Sequence, residues 1–435
     1  MKITKPNLSF SQIVNMNVGF FGIQYSFGLQ QSAVNPIYDF LGASPDQIPL
    51  LNLAGPVTGL LVQPFIGAWS DRTWHPKWGR RKPFFFVGAL LCSICLLFYP
   101  FSSSLWMAAS LLWILDAGNN TAMEPYRAFV ADKLNEDQQA TGFQMQSFFT
   151  GLGQTLANLS LFIFPFIFIG KTGSLPTWVY ASFFLGSVCS IGTIWWSLKT
   201  TPEIEPDEEE LAQIRSKKNS VIDSILEIFH AIGEMPKVMW QLALVYLFQW
   251  YALFCYWQNS SKSIALSVWN TTPKENSKLY EEAVSWTGLV NGWYNVVTFL
   301  TALFLARLAQ KHGAKLVHLM CLLLAAAGFL AFPMISDKNL LFVAITGFGI
   351  GWASMMGIPY LLVVNDIPKE RYGVYMGIIN MMIVIPMILQ NVTFGFILKN
   401  FLGNDSRNAI TFAGILLILS AIATWMIQSK KEIKE

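Results

Sequence analysis

Apolar runs of about 20 residues, separated by short polar breaks, set the rhythm of this chain. Twelve can be marked: 15–38, 48–69, 83–101, 105–131, 141–168, 177–198, 238–264, 283–306, 315–334, 340–364, 372–398 and 408–428. Each is long enough for a helix to cross a hydrocarbon layer. Their continuity is unlike the weak every-other-residue alternation of a transmembrane barrel. A segment in lipid must satisfy its own backbone N–H and C=O groups, so the runs are predicted to be α-helices. The expected fold class is an all-α membrane protein with twelve transmembrane helices in two six-helix halves.

The division into halves comes from the one long hydrophilic interval inside the chain, 199–237, which carries Glu-Pro-Asp-Glu-Glu-Glu at 205–210 and then Arg215, Lys217 and Lys218. It reads as a solvated tether with a short helix. The expected organisation is an N-terminal six-helix bundle (1–198), a cytoplasmic linker (199–237) and a C-terminal six-helix bundle (238–435). The halves also repeat. Gly79 before Arg80-Arg81 matches Gly313 before Ala314-Lys315, Pro125-Tyr126 matches Pro359-Tyr360, and Asp132 matches Asp366, all at an offset of 234 residues. Parallel repeats with a substrate held between them at mid-membrane are a known transporter plan. At the same offset Asp116 faces Ile350, Glu124 faces Ile358 and Arg127 faces Leu361. Charge at membrane depth in this stretch therefore belongs to the first half, and ion coupling is expected there.

Composition agrees: 53% of residues are hydrophobic, 13% are charged and mean hydropathy is +0.44, against about 25% charged in soluble domains. If both termini are cytoplasmic, 22 of the 29 Lys and Arg residues fall on that side, a clear positive-inside bias. The bias accounts for the modest net charge of +3, and nucleic acid is not an expected partner. The expected setting is a cytoplasmic (inner) membrane, crossed many times by a monomer. The first fourteen residues are polar and precede a long span without a small-residue cleavage site, so no signal peptide is expected. Five cysteines, at 92, 95, 189, 255 and 321, all lie within spans. Cys92 and Cys95 have redox spacing but read as small apolar residues in lipid. No nucleotide loop, metal-ligand set or nucleophile–base pair is present, and neither an enzyme nor a cofactor is expected.

The candidate chemistry centres on Asp116, about ten residues inside the fourth run. A charge at membrane depth costs at least about 3 kcal/mol, so ionisable groups there usually face a cavity and serve a pathway. At 3.6 residues per turn, Asp116, Asn120, Met123 and Arg127 share one helix face, with Glu124 slightly to the side. Asp116, Glu124 and Arg127 are the candidate proton-coupling residues. Arg127 lies about 16 Å along the helix from Asp116 and cannot pair with it directly. It is expected to meet Glu124 or Asp132 near the cytoplasmic mouth, as a gate or a structural ion pair. Pro125 removes one helix hydrogen bond between them.

Recognition of a polyhydroxylated solute needs amides and carboxylates for the hydroxyls and aromatic faces for the C–H faces. Candidates in the first half are Gln24 and Gln31 on the first span, Asn119 and Asn120 on the fourth, and Gln144 and Asn158 on the fifth. The second half offers Gln249 and Trp250 on the seventh span, Asn291 and Asn295 on the eighth, Trp352 on the tenth and Asn380 on the eleventh. Any one of these amides can equally be packing glue between helices. Trp178, Trp195 and Trp196 lie near span ends and read as interface anchors. His318 reads as structural.

Between the second and third runs stand Gly67, Asp71 and Arg72, then Gly79, Arg80, Arg81, Lys82 and Pro83. Gly67 would let two helices approach closely, and Asp71 could brace one conformer by accepting hydrogen bonds. This resembles the cytoplasmic gate motif of the major facilitator superfamily, with four extra residues (Thr73 to Pro76), and the resemblance implies the major facilitator fold. A closer resemblance covers most of the chain. Gly55-Pro56, Gly59, Val62-Gln63-Pro64, Gly67 and Ser70-Asp71-Arg72 look like plant sucrose carriers and their animal proton-linked sugar relatives. So do Asp116, Asn119-Asn120-Thr121, Pro125, Arg127-Ala128 and Asp132, and then Gly377, Asn380, Ile383-Val384 and Pro386. Gly351-Trp352-Ala353-Ser354 with Pro359-Tyr360 is similar to the animal branch. This is the glycoside–pentoside–hexuronide:cation symporter group. The resemblance implies proton-coupled import of a disaccharide or α-glucoside, of sucrose or maltose type, with the fourth-span acid as proton carrier. Two departures stand out: Ser44-Pro45-Asp46 where the plant carriers have a histidine, and Glu124 where they have a small or polar residue. The alternatives are sodium coupling, with Asp116, Asn119, Asn120 and Thr121 supplying oxygens, and a non-transporting membrane sugar sensor.

Overall fold

The computed structural model describes residues 5–71, 73–173, 175–206, 208–216, 230, 232–363 and 372–428. Twelve long helices run through them. They are α1 Phe10–Phe40, α2 Ala54–Asp71, α3 Lys82–Phe98, α4 Leu105–Lys133, α5 Glu136–Ile167 and α6 Thr177–Thr200. Then follow α7 Lys237–Val268, α8 Ser277–His312, α9 Ala314–Ala331, α10 Leu341–Val363, α11 Tyr372–Phe401 and α12 Ser406–Trp425. Short helices at Ile48–Leu51 and Glu208–Ser216 and single 3-10 turns at Tyr99–Phe101 and Phe332–Met334 accompany them. The second half of the polar interval lies largely outside those residues, as do Arg72 and Asp366.

Helices that carry the polar stripes outrun their apolar segments: α8 has 36 residues where the hydropathy marked 283–306. Hydropathy registers only the lipid-facing stretch, whereas a helix continues into the interface as long as its own hydrogen bonds are made. The second run is the opposite case. It breaks at Asn52, which leaves helical geometry and donates from Nδ2 to the Asn35 carboxamide at 2.6 Å. Ends are capped as the residues dictate. Ser104 accepts the Met107 N–H at 3.3 Å, and Asn135 accepts that of Gln138 at 3.0 Å. The repeated glycines serve as left-handed turns, Gly79 at φ +75° and Gly313 at φ +88°. A two-residue antiparallel pairing, Lys171–Thr172 with Leu175–Pro176, links α5 to α6, and nothing in the hydropathy marks it.

Nine segments among the described residues are long and apolar enough to cross a membrane. Of the twelve long helices α1, α4 and α8 are not among them, and these are helices rich in the candidate amides and acids. Asp116, Asn119 and Asn120 in α4, or Asn291 and Asn295 in α8, pull the mean down. Their polarity reflects what they carry toward the protein interior.

The chain divides into two compact units, Met1–Val34 with Val57–Asp223 and Asn35–Pro56 with Ser224–Glu435. Asn35–Pro56, counted in the sequence with the first six spans, therefore packs with the second unit. Within that unit Asn35 donates to the Trp257 carbonyl at 3.2 Å, and the Asp46 backbone lies against Gly395.

In the first unit α3 packs on α4 and α6. A Cβ on Gly88 would lie 2.6 Å from the Gly118 carbonyl oxygen, so α3 and α4 touch backbone to backbone. Tyr126, next to Pro125, is fully buried against Phe85 with ring centres 4.9 Å apart. Its hydroxyl donates to the Met16 carbonyl (2.5 Å) and lies 3.1 Å from the Ser197 hydroxyl, joining α4 to α1 and α6. In lipid such bonds average about 0.6 kcal/mol each. Trp195 and Trp196 are exposed as anchors should be, whereas Trp178 is buried inside the unit, contrary to expectation. In the second unit α12 packs on α7 and α9, and α10 on α8 and α9. Tyr256 stacks on Phe329 at 4.7 Å at the centre of an aromatic core.

Candidate functional site

In the first unit Asp116 is 3% exposed, and Asn119, Asn120 and Thr121 are buried beside it. The two asparagines are fully engaged. Asn119 donates to the Ser26 hydroxyl of α1 (3.0 Å) and accepts from the Cys92 thiol of α3 (3.0 Å). Asn120 donates to the Thr58 hydroxyl (3.0 Å) and accepts from the Gln63 amide (2.6 Å), both on α2. Thr121 donates to the carbonyl of Ala117 one turn back, at 2.7 Å. Three helices are thus clamped around α4 at the level of the acid. Asp116 itself has no counter-ion among the described residues. Gln30 of α1 turns its amide toward the carboxyl, but its Nε2 closes no hydrogen bond of standard geometry.

The neighbouring stripe joins α1 to α5. Gln154 donates to the Gln24 carboxamide at 3.0 Å, and the Ser32 hydroxyl donates to Asn158 at 2.6 Å. A Cβ on Gly28 would lie 2.7 Å from that of Ala157, so a glycine is required there. Gln31 is half-buried. The side chains of Gln144 and Glu124 lie outside the described ones, and Arg127 is exposed.

In the second unit three tryptophans meet. Trp352 of α10 stands edge-on to Trp250 at 5.7 Å and to Trp257 at 5.5 Å, both on α7. Beside Trp250, Gln249 is wholly buried with neither amide atom in a hydrogen bond, and the Trp250 indole N–H is likewise unmatched. Buried polar groups without partners are uncommon, and each calls for an explanation. Asn291 accepts from the Tyr256 hydroxyl at 2.8 Å, and Asn295 donates to its own helix at the Asn291 carbonyl, 2.9 Å away. Asn380 is exposed on α11. His318 is buried against the Ser354 hydroxyl at 2.7 Å.

The gate motif is built differently from its reading in sequence. Arg81 is 4% exposed; its Nε lies 2.9 Å from the Asp132 carboxylate at the end of α4, and it donates to the Ser70 hydroxyl at 2.6 Å. Asp132 is thus engaged by Arg81. The backbone N–H groups of Arg80, Arg81 and Lys82 donate to the Glu203 carboxylate at 2.7, 2.9 and 2.9 Å. An acid from the polar interval therefore sits on the N-terminus of α3, where the helix dipole favours negative charge. Lys133 and Lys82 tether the same segment through the carbonyls of Pro202 (2.7 Å) and Leu198 (2.9 Å). Gly67, expected at a close helix approach, has no described residue within 4 Å of where a Cβ would stand, whereas Gly88 and Gly118 do sit at a close approach. The Asp71 side chain and Arg72 lie outside the described residues.

Two features escaped the sequence reading. One is Glu203. The other is a buried ion pair in the second unit, Asp39 of α1 with Lys262 of α7 at 2.5 Å, with the Tyr280 hydroxyl donating to the other Asp39 oxygen. The available signal was an acid immediately after the first apolar run and a lysine in the last turn of the seventh. All five cysteines are free, and no group of three or more potential metal ligands occurs among the described residues.

Long apolar helices, clamped amides and an acid at membrane depth with no counter-ion among the described residues are the features of a multi-pass membrane protein with a polar interior. The Major Facilitator Superfamily description matches residues 16–390 and again 278–435, and the chain belongs to that family. It is 26% identical over 429 residues to sucrose transport protein SUC4 of Arabidopsis thaliana, covering 86% of this chain and 81% of the relative. It is 23% identical over 439 residues to sucrose transport protein SUT5 of Oryza sativa subsp. indica, covering 86% and 79%. In fold it is similar to the nucleoside transporter NupG, with TM-score 0.72, 12% identity and 97% and 100% of the two chains covered. The partially occluded inward-open xylose transporter XylE from E. coli matches with TM-score 0.66, 14% identity and coverage of 96% and 98%.

Proposed function

We propose that the chain imports a disaccharide or α-glucoside, of sucrose or maltose type, together with a proton, by alternating access. The observation that carries this reading is Asp116, a buried acid with no cation against it among the described residues and with its helix clamped on three sides. Such a group is neutral when it holds a proton and costly when it does not, so its exposure to water on one side and then the other couples proton to solute. Kinship to the sucrose transport proteins supports the solute class. The orphan amide of Gln249, with the tryptophans at 250, 257 and 352, offers a hydroxyl partner and apolar ring faces of the kind a sugar requires. The organisation into bundles 1–198 and 238–435 with a cytoplasmic linker 199–237, a cytoplasmic membrane location with both termini inside, and a monomeric state are parts of the same reading.

Sodium is the alternative ion. A sodium site would call on the oxygens of Asp116, Asn119, Asn120 and Thr121. Those of Asn119 and Asn120 already accept from Cys92 and Gln63, which favours the proton. Purified protein in liposomes, given imposed pH or sodium gradients and a panel of disaccharides, tests both. Uptake driven by sodium alone overturns the ion, and no sugar uptake under any gradient overturns the class.

A further inference from the structure

A groove of about 470 Å3 opens between α8 and α9 in the second unit. Its floor is apolar and packed, where Ile350 of α10 meets the buried Leu305, Val317 and Cys321. Its walls are apolar and open: Phe304 of α8 is 63% exposed and Met320 of α9 is 51% exposed. On α8 the lining residues Thr301, Phe304, Leu308 and His312 form one stripe. From Thr301 to His312 the stripe measures about 16 Å along the helix axis. That is close to half of the hydrocarbon core, about 30 Å thick, and so to the depth of one leaflet. One acyl chain lying along α8 would fill it, whereas a lipid that merely coats a helix needs no groove.

Only one end of the groove is basic. His312 lines it, and Lys311 and Arg307 stand together on one flank of the stripe, all three exposed. Among the described residues no carboxylate forms an ion pair with them. Cations at the end of α8 suit the helix dipole and the topology of the chain, but neither explains an acyl-sized groove that ends among them. Lys315, close by in sequence, is engaged elsewhere: it donates to the Ile427 carbonyl at 2.8 Å and lies over the Trp425 ring at 5.5 Å. In the first half the corresponding turn, at Gly79, is neutralised from within by Glu203 and, through Arg81, by Asp132.

We propose that this groove binds one anionic phospholipid, with an acyl chain along Phe304, Leu308 and Met320 and its phosphate held by Arg307 and Lys311 beside His312. Basic pockets between spanning helices suit such head groups, and a neutral lipid would leave these cations unanswered. Under the orientation proposed above, this end meets the cytoplasmic leaflet, where anionic lipids concentrate. The site rests on the chain's being a membrane protein, and on neither the sugar nor the ion.

Binding is read without any transported solute. Purified protein in detergent is titrated with phosphatidylglycerol or with phosphatidylcholine of the same chains, and native mass spectrometry counts the lipids retained. Phosphatidylglycerol with a diazirine in one acyl chain then locates the site by crosslinking and peptide mapping. One phosphatidylglycerol is expected to stay bound where phosphatidylcholine does not, with crosslinks inside 301–324. Arg307→Gln/Lys311→Gln should weaken retention by at least about tenfold, each cation being worth about 1 kcal/mol. Met320→Trp should weaken it too, by filling the groove with the charge untouched. Lys77→Gln/Lys199→Gln removes two other exposed cations and should leave retention unchanged. Equal retention of the two lipids, crosslinks elsewhere, or equal weakening by both charge pairs overturns the site and leaves an ordinary lipid-facing surface. Dimers that exclude the lipid overturn it as well, by assigning the groove to a second copy of the chain. Failure of sugar uptake, with lipid retention as expected, sinks the proposed substrate and leaves the lipid site standing.

Discussion

The Glu203 carboxylate occupies the space that a side chain on Gly79 would need, its Oε1 2.5 Å from the position of a Cβ there. The two residues are 124 apart in sequence, yet they form one device: a left-handed turn that bares three N–H groups, and an acid that takes them. Removing a good N-terminal cap costs about 0.5–2 kcal/mol. Glu203→Ala is expected at the upper end, because the acceptor is charged and serves three donors. Gly79→Ala should cost more, since it adds a clash to a backbone angle of φ +75°. Melting of the detergent-solubilised protein checks both, and a melting point for Glu203→Ala equal to the parent's would refute the cap.

A second expectation concerns Asp116. Asn has nearly the same shape and cannot carry a proton away, so Asp116→Asn should fold with undiminished stability or a slight gain. Accumulation of sugar against its gradient should fall to background, while exchange of labelled for unlabelled sugar persists. Uphill uptake that survives the substitution would remove Asp116 from the coupling path.

The difference between what could and could not be foreseen lies in how local each signal is. Asp116 was legible because a charge in mid-run contradicts everything around it. Asp39 and Lys262 were not, because a charge at or just past the end of an apolar run reads as the edge of the membrane, and only the structure shows the two paired and buried. Glu203 stands among other acids of the polar interval, and no local pattern marks which of them reaches the start of α3. The fold class was readable from periodicity and repeat. The break at Asn52 was not, because it depends on Asn35, a partner in another helix. Asn119 and Asn120 illustrate the deepest limit: an amide bound to a neighbouring helix and an amide bound to a solute are the same residue in sequence.

That last distinction gives a third expectation. Asn119→Ala takes away the amide that donates to the Ser26 hydroxyl and leaves the Cys92 thiol only its longer contact with the Leu115 carbonyl at 3.6 Å, and a buried polar group left without its partner costs about 1–3 kcal/mol. It should lower the melting point and leave KM for the sugar nearly unchanged. Gln249→Met keeps the volume and removes an amide that satisfies nothing inside the protein, so stability should hold or rise. If Gln249 serves the solute, KM should climb about tenfold, the equivalent of one hydrogen bond of about 1.4 kcal/mol. The reverse pattern, a moved KM for Asn119→Ala and none for Gln249→Met, would exchange their roles.

The glycines of the first unit supply the sharpest contrast. Gly67 belongs to the recognised motif, yet a methyl group added there meets none of the described residues within 4 Å. Gly88 belongs to no motif, and the same methyl would meet the Gly118 carbonyl at 2.6 Å and the Ala122 nitrogen at 2.7 Å. Those are backbone atoms and cannot rotate away, so α3 and α4 would have to separate. Overpacking of this kind costs about 1–3 kcal/mol. The Asn119–Cys92 bond at 3.0 Å spans the same two helices and should be strained with them, so uptake should suffer along with stability. Gly67→Ala is therefore expected to match the parent in melting temperature, and Gly88→Ala to melt several degrees lower with impaired transport. Equal melting of the two variants would mean that the α3–α4 contact is looser than the distances at Gly88 require.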